Sequence, residues 1–411
     1  MTARVPDSLL KRGVAEIISE QEVMKLLESG RPLRLKQGFD PSRPDIHLGH
    51  VVGLRKLRQF QEMGHQVILI VGDWTAQIGD PSGQSITRPM LTAEEVRRNA
   101  ETYMQQFFRV VDKSKTQVRL QSEWFGKFNL GDVIRLTSKF TVAQFLARED
   151  FRKRFDNSQP IAITELLYPL LQAYDSVAIE ADVEFGGIDQ KFNCLVGREL
   201  QGMVGQRQQQ VFLMPLLVGT DGVHKMSKSL GNYIGIDEPP YDMYGKVMSI
   251  PDNLIMSYFE LLTDVADKEL GEMKQQVDSQ SVNPMSLKKR LALDIVTQFH
   301  SAEEARKAEE RFASVRQKRE VPPELRDGVK LGDSVSVVVQ KDIARRIVEA
   351  GLAESVSEAQ RLIDQGAVTI DGQKLTSTHA ELRNGSIIKV GKRGFIKIID
   401  ADKMTYEVAK G

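Results

Sequence analysis

The chain has 411 residues, 41% hydrophobic and 27% charged, which is enough for two to four globular domains with hydrophobic cores. Its 56 basic and 56 acidic residues cancel, and this balance excludes any argument for a nucleic-acid partner from bulk charge. The single cysteine, Cys194, excludes an internal disulfide and a cysteine-based zinc cluster.

The N-terminal part of the chain predicts a parallel sheet. Residues 5–30 predict an amphipathic helical entry without the continuous apolar run of a signal peptide. RPLRLKQGFD (31–40) and HQVILIVGD (65–73) predict strands around a helix that follows His50 and ends near Gly64. This order predicts a right-handed βαβ unit with ligands at the carboxyl ends of its strands. Nothing approaches the ~18 apolar residues of a membrane span, so we expect a cytoplasmic protein.

The middle of the chain is mainly helical from 92 to 180, with Thr92 as an N-cap. DVEFGGIDQ (182–190) predicts a strand followed by a glycine turn, and the apolar run at 208–219 predicts the last strand of the sheet. From 240 to 320 the pattern is helical and charged. Two adjacent prolines and many charges then predict an interdomain linker around 318–329.

The C-terminal part changes character after residue 330. Two short helical patterns end at Gly351 and Gly366. Asp371 and Gly372 then separate two strand-like runs, which predicts a β-hairpin.

The segment GFDPSRPDIHLGH (38–50) places two of the six histidines, His47 and His50, at the start of a helix. Backbone N–H groups at a helix N-terminus attract anions, and Gly49 allows close approach. Three interpretations stay open from these residues alone: phosphate donors, structural residues or metal ligands. Zinc would need a third ligand, and no matching His, Cys or Glu cluster is evident nearby. The P-loop and dinucleotide-binding glycine motifs are absent from the sequence.

The segment DGVHKMSKSLGN (221–232) carries Lys225 and Lys228 in a glycine-flanked loop. Lysines on a mobile loop can follow a phosphate chain as its charge rearranges in a transition state, and a solvated basic turn is the alternative. HLGH and KMSKS together resemble the paired signatures of class I aminoacyl-tRNA synthetases. The resemblance implies that Lys225 and Lys228 act with His47 and His50 in catalysis. It also implies ATP with Mg²⁺ as co-substrate and no tightly bound protein metal.

The segments YPLLQAYD (168–175), GGIDQ (186–190) and GDWTAQIGDPSG (72–83) resemble the substrate pocket of bacterial tyrosyl-tRNA synthetases. On a helix, the first places Tyr168, Gln172 and Asp175 on one face, for which a buried, satisfied polar face is the alternative. The resemblance implies that Tyr168, Gln172 and Asp80 hold the substrate ammonium. It implies that Asp175 accepts the phenol hydrogen bond, Gln190 steadies the carboxylate and Asp189 binds the ribose. The tyrosine-binding candidates are Thr75, Asp80, Tyr168, Gln172, Asp175 and Gln190, and the ATP-binding candidates are Asp40, Gly49, Gly187, Asp189, Met226, Ser227 and Arg88.

Two positions depart from the pattern of this family and indicate a divergent branch. Lys36 stands where many members have a tyrosine that contacts the phenol. Gln84 stands where many have a lysine, and Arg88 is the candidate for a compensating cation.

A buried Asp175 would be left unpaired by phenylalanine, so no editing domain is needed.

The segment ARRIVEAGLAESVSEAQRLIDQGAVTIDGQKL (344–375) resembles an S4 RNA-binding domain. An ordinary solvated surface is the alternative on charge alone. The candidate RNA contacts are Arg345, Arg346, Arg361, Lys392 and Arg393.

The resemblance implies an α/β fold with three parts. A Rossmann-like parallel-sheet catalytic domain (1–222) carries a helical insertion at about 120–185. An all-helical anticodon-recognition domain with the KMSKS loop (223–320), a linker (321–340) and a small α+β S4 domain (341–411) follow.

The implied activity is that of a tyrosine–tRNA ligase. Tyrosine's carboxylate is ionised at neutral pH and needs no general base, so catalysis is positioning and electrostatics. The implied partners are L-tyrosine, ATP, tRNA(Tyr) and a second copy of the chain, bound through the inserted helices, with no membrane. Two rivals stay open: a nucleotidyltransferase acting on a small molecule, and an RNA-binding protein descended from a synthetase. The first leaves KMSKS unexplained, and the second predicts damaged motifs, for which Lys36 and Gln84 are the only support.

Overall fold

The computed structural model describes residues 6–42, 44–82, 90–314, 339–383, 385–391, 394–400 and 405–410. The chain divides into two compact units, residues 1–299 and 300–411. The predicted boundary at residue 222 falls inside the first unit, so that subdivision stays a prediction. The predicted linker (321–340) lies outside the described residues as far as residue 338.

A mixed, mainly parallel sheet forms the centre of the first unit. Its strands are β1 (Glu16–Ile18), β2 (Arg34–Phe39), β3 (Gln66–Val71), β4 (Thr116–Leu120), β5 (Val183–Gly187) and β6 (Gln210–Met214). Among the described residues their order is β1-β6-β5-β2-β3-β4. β1 pairs antiparallel with β6, and the other neighbours pair in parallel. The predicted α/β fold class is confirmed.

Helices connect the strands and follow them. In the first unit they are α1 (Asp7–Lys11), α2 (Glu20–Glu28), α3 (Leu48–Glu62), α4 (Thr75–Ile78), α5 (Ala93–Phe107), α6 (Ser122–Phe125), α7 (Leu130–Thr137), α8 (Val142–Leu146), α9 (Glu149–Asp156), α10 (Ile163–Ala178), α11 (Lys191–Met203), α12 (Pro240–Ser249), α13 (Ile255–Leu262), α14 (Asp267–Asp278) and α15 (Pro284–Phe299).

The β2–α3–β3 unit follows from its sequence pattern. β3 is almost wholly apolar and buried, as is typical of an internal parallel strand that pairs with a strand on each side. α3 begins at the His47 N-cap and is followed by Gly64, whose φ of +93° suits glycine. This unit therefore places the HLGH segment at the carboxyl edge of the sheet.

Two strands differ from the predicted pattern. β1 interrupts the helical entry predicted for residues 5–30, and β4 interrupts the region predicted as mainly helical from 92 to 180. β1 has three residues and β4 has five, and both are edge strands of the sheet. Runs this short carry too few alternations to be separated from helical patterns by periodicity.

The helices α6 to α10 lie between β4 and β5 and have a core of their own. Their buried side chains pack with residues of α11, and the cluster contains Leu136, Phe145, Phe151, Leu170, Ala173, Val196 and Leu200. This core fixes α10, the helix that carries Tyr168, Gln172 and Asp175, relative to the sheet.

The second unit contains α16 (Ala302–Phe312), α17 (Ile343–Glu349), α18 (Val356–Asp364) and the strands β7 (Val339–Asp342), β8 (Val368–Ile370), β9 (Gln373–Lys374), β10 (His379–Leu382), β11 (Ile387–Val390), β12 (Gly394–Asp400) and β13 (Thr405–Lys410). Its described strands form a sheet β13-β12-β11-β8-β9 and a pair β10-β7. Asp371 and Gly372 have φ of +50° and +85°, as the predicted two-residue hairpin turn requires. Across the described residues, no helix has the length and apolar character to cross a membrane.

Candidate active site

The carboxyl ends of β2, β3, β5 and β6 open into one cavity of about 830 Å³. Every predicted site residue that the structure describes in the first unit lines it. These residues are Asp40, His47, Gly49, His50, Thr75, Asp80, Tyr168, Gln172, Asp175, Gly187, Asp189, Gln190, Lys225, Met226, Ser227 and Lys228. The sequence scatters them over about 190 positions, and the parallel sheet gathers them because its strands end at one edge.

The two histidines are fixed by the backbone at the start of α3. The N–H of Gly49 donates to Nδ1 of His47 over 3.1 Å, and the N–H of His47 donates to Nδ1 of His50 over 3.2 Å. Each Nδ1 is therefore an acceptor, and each neutral ring carries its proton on Nε2. A Cβ at residue 49 would lie 2.9 Å from the His47 ring, so a larger residue would require this ring to shift.

Both rings are neutral near neutral pH. Burial lowers the pKa of His47 well below its usual range, and the charges of His50, Lys228 and Lys225 lower it further. Burial also lowers the pKa of His50 to about 4, assisted by the charge of Lys228. The site thus offers two neutral Nε2–H donors beside two lysines, a donor set that suits phosphate oxygens.

The KMSKS loop lies against the HLGH segment. The Lys228 ammonium donates to the carbonyls of Pro44 and Asp45, and Lys225 forms an ion pair with Asp189 at 2.8 Å. Asn232 Oδ1 accepts from the N–H of Ser227 over 2.8 Å. Both catalytic candidates of this loop therefore already contact oxygens of the protein.

Asp175 is a buried residue of the cavity wall and lies between two donors. Its Oδ2 accepts from Nε2 of Gln121 over 2.9 Å, and its Oδ1 accepts from Nε1 of Trp124 over 3.1 Å. Gln121 is itself held, because its Oε1 accepts from the N–H and the hydroxyl of Thr75 over 2.9 and 3.0 Å. We did not predict Gln121 and Trp124 from the sequence. They directly follow β4, and recognising that strand would have placed them at the carboxyl edge.

A second group of polar residues lies around α4, which begins at Thr75. Asp40 accepts from the hydroxyls of Thr75 and Tyr168 over 2.7 and 2.8 Å. Asp80 accepts from Nε2 of Gln190 over 2.6 Å. A Cβ at Gly72 would lie 2.3 Å from both Asp40 Oδ1 and Thr75 Oγ1, so glycine is needed for this contact.

Two carboxyl groups of the cavity, those of Asp40 and Asp175, have raised pKa values. Burial raises the pKa of Asp40 to about 7, although hydrogen bonds from Thr75 and Tyr168 oppose the increase. Burial also raises the pKa of Asp175 to about 7, opposed first by the positive charge of Lys36. Such carboxyl groups change charge near neutral pH, which is common where a site binds a charged substrate.

Lys36 does not line the cavity among the residues that the structure describes. Its side chain is fully buried and forms an ion pair with Glu184 at 2.9 Å. Lys36 therefore does not offer the cavity the phenol contact that the family resemblance implies for this position, and its ammonium interacts inside the protein instead.

A second cavity of about 880 Å³ shares Ser82 and Asp189 with the first. Its wall carries four basic side chains, and acidic neighbours pair with each of them. These basic residues are Arg148, Lys153, Arg154 and Lys191.

The remaining candidates lie elsewhere. Arg345 and Arg361 are exposed on α17 and α18, and Arg346 pairs with Glu349. Four named residues fall outside the described part of the chain, namely Gln84, Arg88, Lys392 and Arg393. Within the described ranges, no group of three or more His, Cys, Asp or Glu side chains could hold a metal ion.

Comparisons with known proteins identify the family to which the chain is similar. The family model described as tRNA synthetases class I (W and Y) matches residues 28–316, and the S4 domain model matches residues 344–388. A tyrosine–tRNA ligase of Dehalococcoides mccartyi (strain CBDB1) is 61% identical over 396 residues, covering 96% of this chain and 98% of that protein. The tyrosine–tRNA ligase of Thermotoga maritima is 50% identical over 400 residues, covering 97% and 98%. A tyrosyl-tRNA synthetase from Archaeoglobus fulgidus, solved in complex with L-tyrosine, matches with a TM-score of 0.60 and 25% identity over 73% of this chain and 98% of that one.

Proposed function

The chain belongs to the class I tRNA synthetases for tryptophan and tyrosine, and within them to the tyrosine–tRNA ligases, and on this basis we propose which residues of its cavity bind each substrate. The reaction uses ATP, tyrosine and tRNA. The observation that supports the proposal best is the convergence of HLGH, KMSKS and the α10 face on one cavity of about 830 Å³.

Asp175 receives the phenol hydroxyl of tyrosine. Gln121 and Trp124 each donate to one of its oxygens and fix the plane of the carboxylate. Each carboxylate oxygen can accept a second hydrogen bond, so the hydroxyl of the substrate has a prepared acceptor. Phenylalanine would bury Asp175 without this partner, which is the physical basis of selection.

The ammonium group of tyrosine lies between Asp40, Asp80, Tyr168 and Gln172. Asp40 and Asp80 supply negative charge. Gln172 Nε2 donates to Glu184 over 3.2 Å, so its Oε1 is left as the acceptor. This set of acceptors suits a primary ammonium, which has three donors and no acceptor. Gln190 is held by Asp80 and Asn193 and would face the carboxylate.

ATP binds along the start of α3 and the KMSKS loop. The Nε2–H groups of His47 and His50 donate to phosphate oxygens, and Lys225 and Lys228 exchange their protein partners for the triphosphate. Asp189 is then released to bind the ribose. Mg²⁺ enters with the nucleotide rather than as a resident protein metal, because Mg²⁺ is usually held through substrate phosphates.

The chemistry has two steps. A carboxylate oxygen of tyrosine attacks the α-phosphorus of ATP, the bond from that phosphorus to the bridging oxygen breaks, and pyrophosphate leaves. A hydroxyl of the terminal ribose of tRNA then attacks the tyrosyl carbonyl and passes its proton to a phosphate oxygen of the adenylate, the bond from the carbonyl carbon to the bridging phosphate oxygen breaks, and AMP leaves. The cations and N–H donors stabilise the charge that develops on the phosphate oxygens in the first step.

The tRNA is held at two places. In the second unit, Arg345, Arg346 and Arg361 supply phosphate contacts, the sequence-independent part of nucleic-acid affinity. The second cavity, which shares Ser82 and Asp189 with the first, admits the 3′ end.

The working form is a homodimer built on the inserted helices. Leu130, Val133 and Ile134 lie at i, i+3 and i+4 of α7, and all three are exposed, Leu130 to 75%. Val142 and Phe155 add apolar surface on α8 and α9. A second copy of the chain can cover this surface by a twofold axis, which makes the contact self-complementary.

Amino-acid-dependent ATP–pyrophosphate exchange, measured with all twenty amino acids, tests the assignment of the cavity. Exchange with tyrosine alone is the expected result. Exchange with a different amino acid would contradict the role of Asp175. No exchange with any of them, combined with RNA binding, would favour the RNA-binding interpretation.

A further inference from the structure

Lys36 and Glu184 form a closed cluster beneath the tyrosine pocket. The two residues lie opposite each other in the parallel pairing of β2 and β5, so their side chains share one face of the sheet. Lys36 is 0% exposed and Glu184 is 1% exposed. A lysine in such a position is costly unless every donor finds a partner.

All three ammonium protons of Lys36 have acceptors. They are Glu184 Oε1 at 2.9 Å, the carbonyl of Gln172 at 2.8 Å and Ser176 Oγ at 2.7 Å. Two of these acceptors belong to one turn of α10, and Asp175 lies within that turn. Lys36, a residue of β2, therefore holds the turn of α10 that carries Asp175 by two hydrogen bonds.

Both carboxylate oxygens of Glu184 also accept hydrogen bonds. Its Oε1 accepts from Lys36 and from Gln172 Nε2, the latter at 3.2 Å. Its Oε2 accepts from Ser176 Oγ at 3.3 Å and from Gln209 Nε2. Because the Gln172 amide nitrogen is bound to Glu184, the amide cannot turn over without losing this bond. Its oxygen therefore stays available to the cavity.

We infer that Lys36 and Glu184 are positioning residues for tyrosine, which set the amide of Gln172 and the turn around Asp175 without touching the substrate. The inference rests on the proposed function of the cavity. It assigns to Lys36 a role different from the phenol contact that the family resemblance implies for this position. The positive charge of Lys36 also opposes the increase in the pKa of Asp175 that burial causes.

Two variants separate positioning from stability. Lys36→Met leaves Glu184 buried without its cation, and we expect lower thermal stability together with a tyrosine KM raised about tenfold or more. Lys36→Met/Glu184→Met replaces the pair by apolar side chains, which usually preserves or restores stability. Its tyrosine KM should stay raised about tenfold because Gln172 Nε2 has lost its acceptor. The KM for ATP and the kcat of pyrophosphate exchange should change by no more than about twofold in both variants.

Lys56→Met is the matched control. Lys56 is also buried, and its ammonium donates to the carbonyls of Leu9 and Arg12, away from the cavity. This variant should lose stability while its tyrosine KM stays at the wild-type value.

The outcomes are distinguishable. If wild-type protein fails to exchange with tyrosine, the proposed function is wrong. If wild-type protein is active and the double variant recovers both stability and tyrosine KM, the pair is only structural and the inference is overturned. An unchanged tyrosine KM in Lys36→Met, parallel changes in the KM for tyrosine and ATP, or failure of both Lys36 variants to fold would overturn it as well.

Discussion

The backbone N–H of His47 donates a hydrogen bond to Nδ1 of His50 over 3.2 Å. This contact makes the second histidine part of the helix cap and leaves its Nε2–H as the group that can meet a ligand. In the proposed mechanism the HLGH segment therefore acts through neutral donors, and the positive charge offered to the phosphates comes from Lys225 and Lys228 of the KMSKS loop.

The low pKa of His50 predicts that the free energy of unfolding decreases as the pH falls below neutral. Its pKa is about 4 in the folded chain, below the 6.5 of an ordinary histidine. Between these values the unfolded chain binds a proton that the folded chain does not. The stability that is complete above pH 6.5 should therefore fall as pH decreases toward 4, by about 3 kcal/mol for this residue.

The measurement compares urea unfolding of wild-type protein and His50→Asn from pH 7.5 to 4.5. The asparagine oxygen can still accept from the N–H of His47, but the side chain does not titrate. The difference cancels the contributions of Asp40 and Asp175, whose raised pKa values act in the opposite sense. Parallel curves for the two proteins would contradict the prediction.

Tyrosine affinity should depend on pH through Asp40. Its pKa of about 7 means that the carboxylate is protonated at lower pH and no longer attracts the substrate ammonium. The tyrosine Kd should therefore increase as pH decreases from 8 to 6, by up to about tenfold per pH unit for each group that titrates. Isothermal titration calorimetry without ATP measures this directly.

The control for this experiment is Asp40→Asn. Asp175 also has a pKa of about 7, so it contributes a second step in the same range. The variant should bind tyrosine more weakly at pH 8 and show a shallower dependence on pH. If its pH dependence matches that of wild-type protein, Asp40 is not the titrating group.

Asp175→Asn should reduce selectivity for tyrosine. The new amide places an N–H₂ group against the donor of either Gln121 or Trp124, so one hydrogen bond is replaced by repulsion. Loss of hydrogen bonds to a charged acceptor should lower kcat/KM for tyrosine about 100-fold. The much lower activity with phenylalanine should change little, so the ratio of kcat/KM for tyrosine to that for phenylalanine should decrease.

Pyrophosphate exchange with both amino acids checks this expectation, and Asp278→Asn, an exposed aspartate on α14, is the control. An unchanged ratio between tyrosine and phenylalanine would remove Asp175 from phenol recognition.

Lys228→Ala should lower the kcat of pyrophosphate exchange by about 100-fold or more, as expected for the loss of a donor to the transition state. The tyrosine Kd should remain near the wild-type value, because Lys228 lies at the HLGH side of the cavity, where it contacts Pro44 and Asp45. Lys268→Ala, at a lysine that is 91% exposed, serves as the control. An unchanged exchange rate would exclude the proposed role.

Ile134→Glu should weaken the proposed homodimer. The side chain is 59% exposed on α7 within the apolar stripe, and a charge at the centre of a self-complementary contact is introduced twice. Light scattering coupled to size exclusion should show a shift toward monomer at micromolar concentration. Val356→Glu changes an exposed apolar residue of α18 and should leave the mass unchanged. A wild-type chain that is already monomeric would contradict the proposal.

The sequence determined much of this molecule by itself. The apolar run of β3, the glycine after α3 and the turn at Asp371 and Gly372 are local signals, because strand, cap and hairpin preferences depend on neighbouring residues. The HLGH and KMSKS segments were recognisable for the same reason, since each is a short string with a local backbone role. The family resemblance followed from them, and the S4 resemblance followed separately from residues 344–375.

Only the tertiary structure decided the rest. Lys36 and Glu184 are 148 positions apart, and nothing in the surroundings of either residue predicts a buried ion pair. Their contact depends on the pairing of β2 with β5, which is a non-local property of the sheet. Gln121 and Trp124 reach Asp175 for the same reason, because β4 and α10 bring distant segments to one edge. The free energy of burying these charges and polar groups depends on partners that only the folded chain supplies.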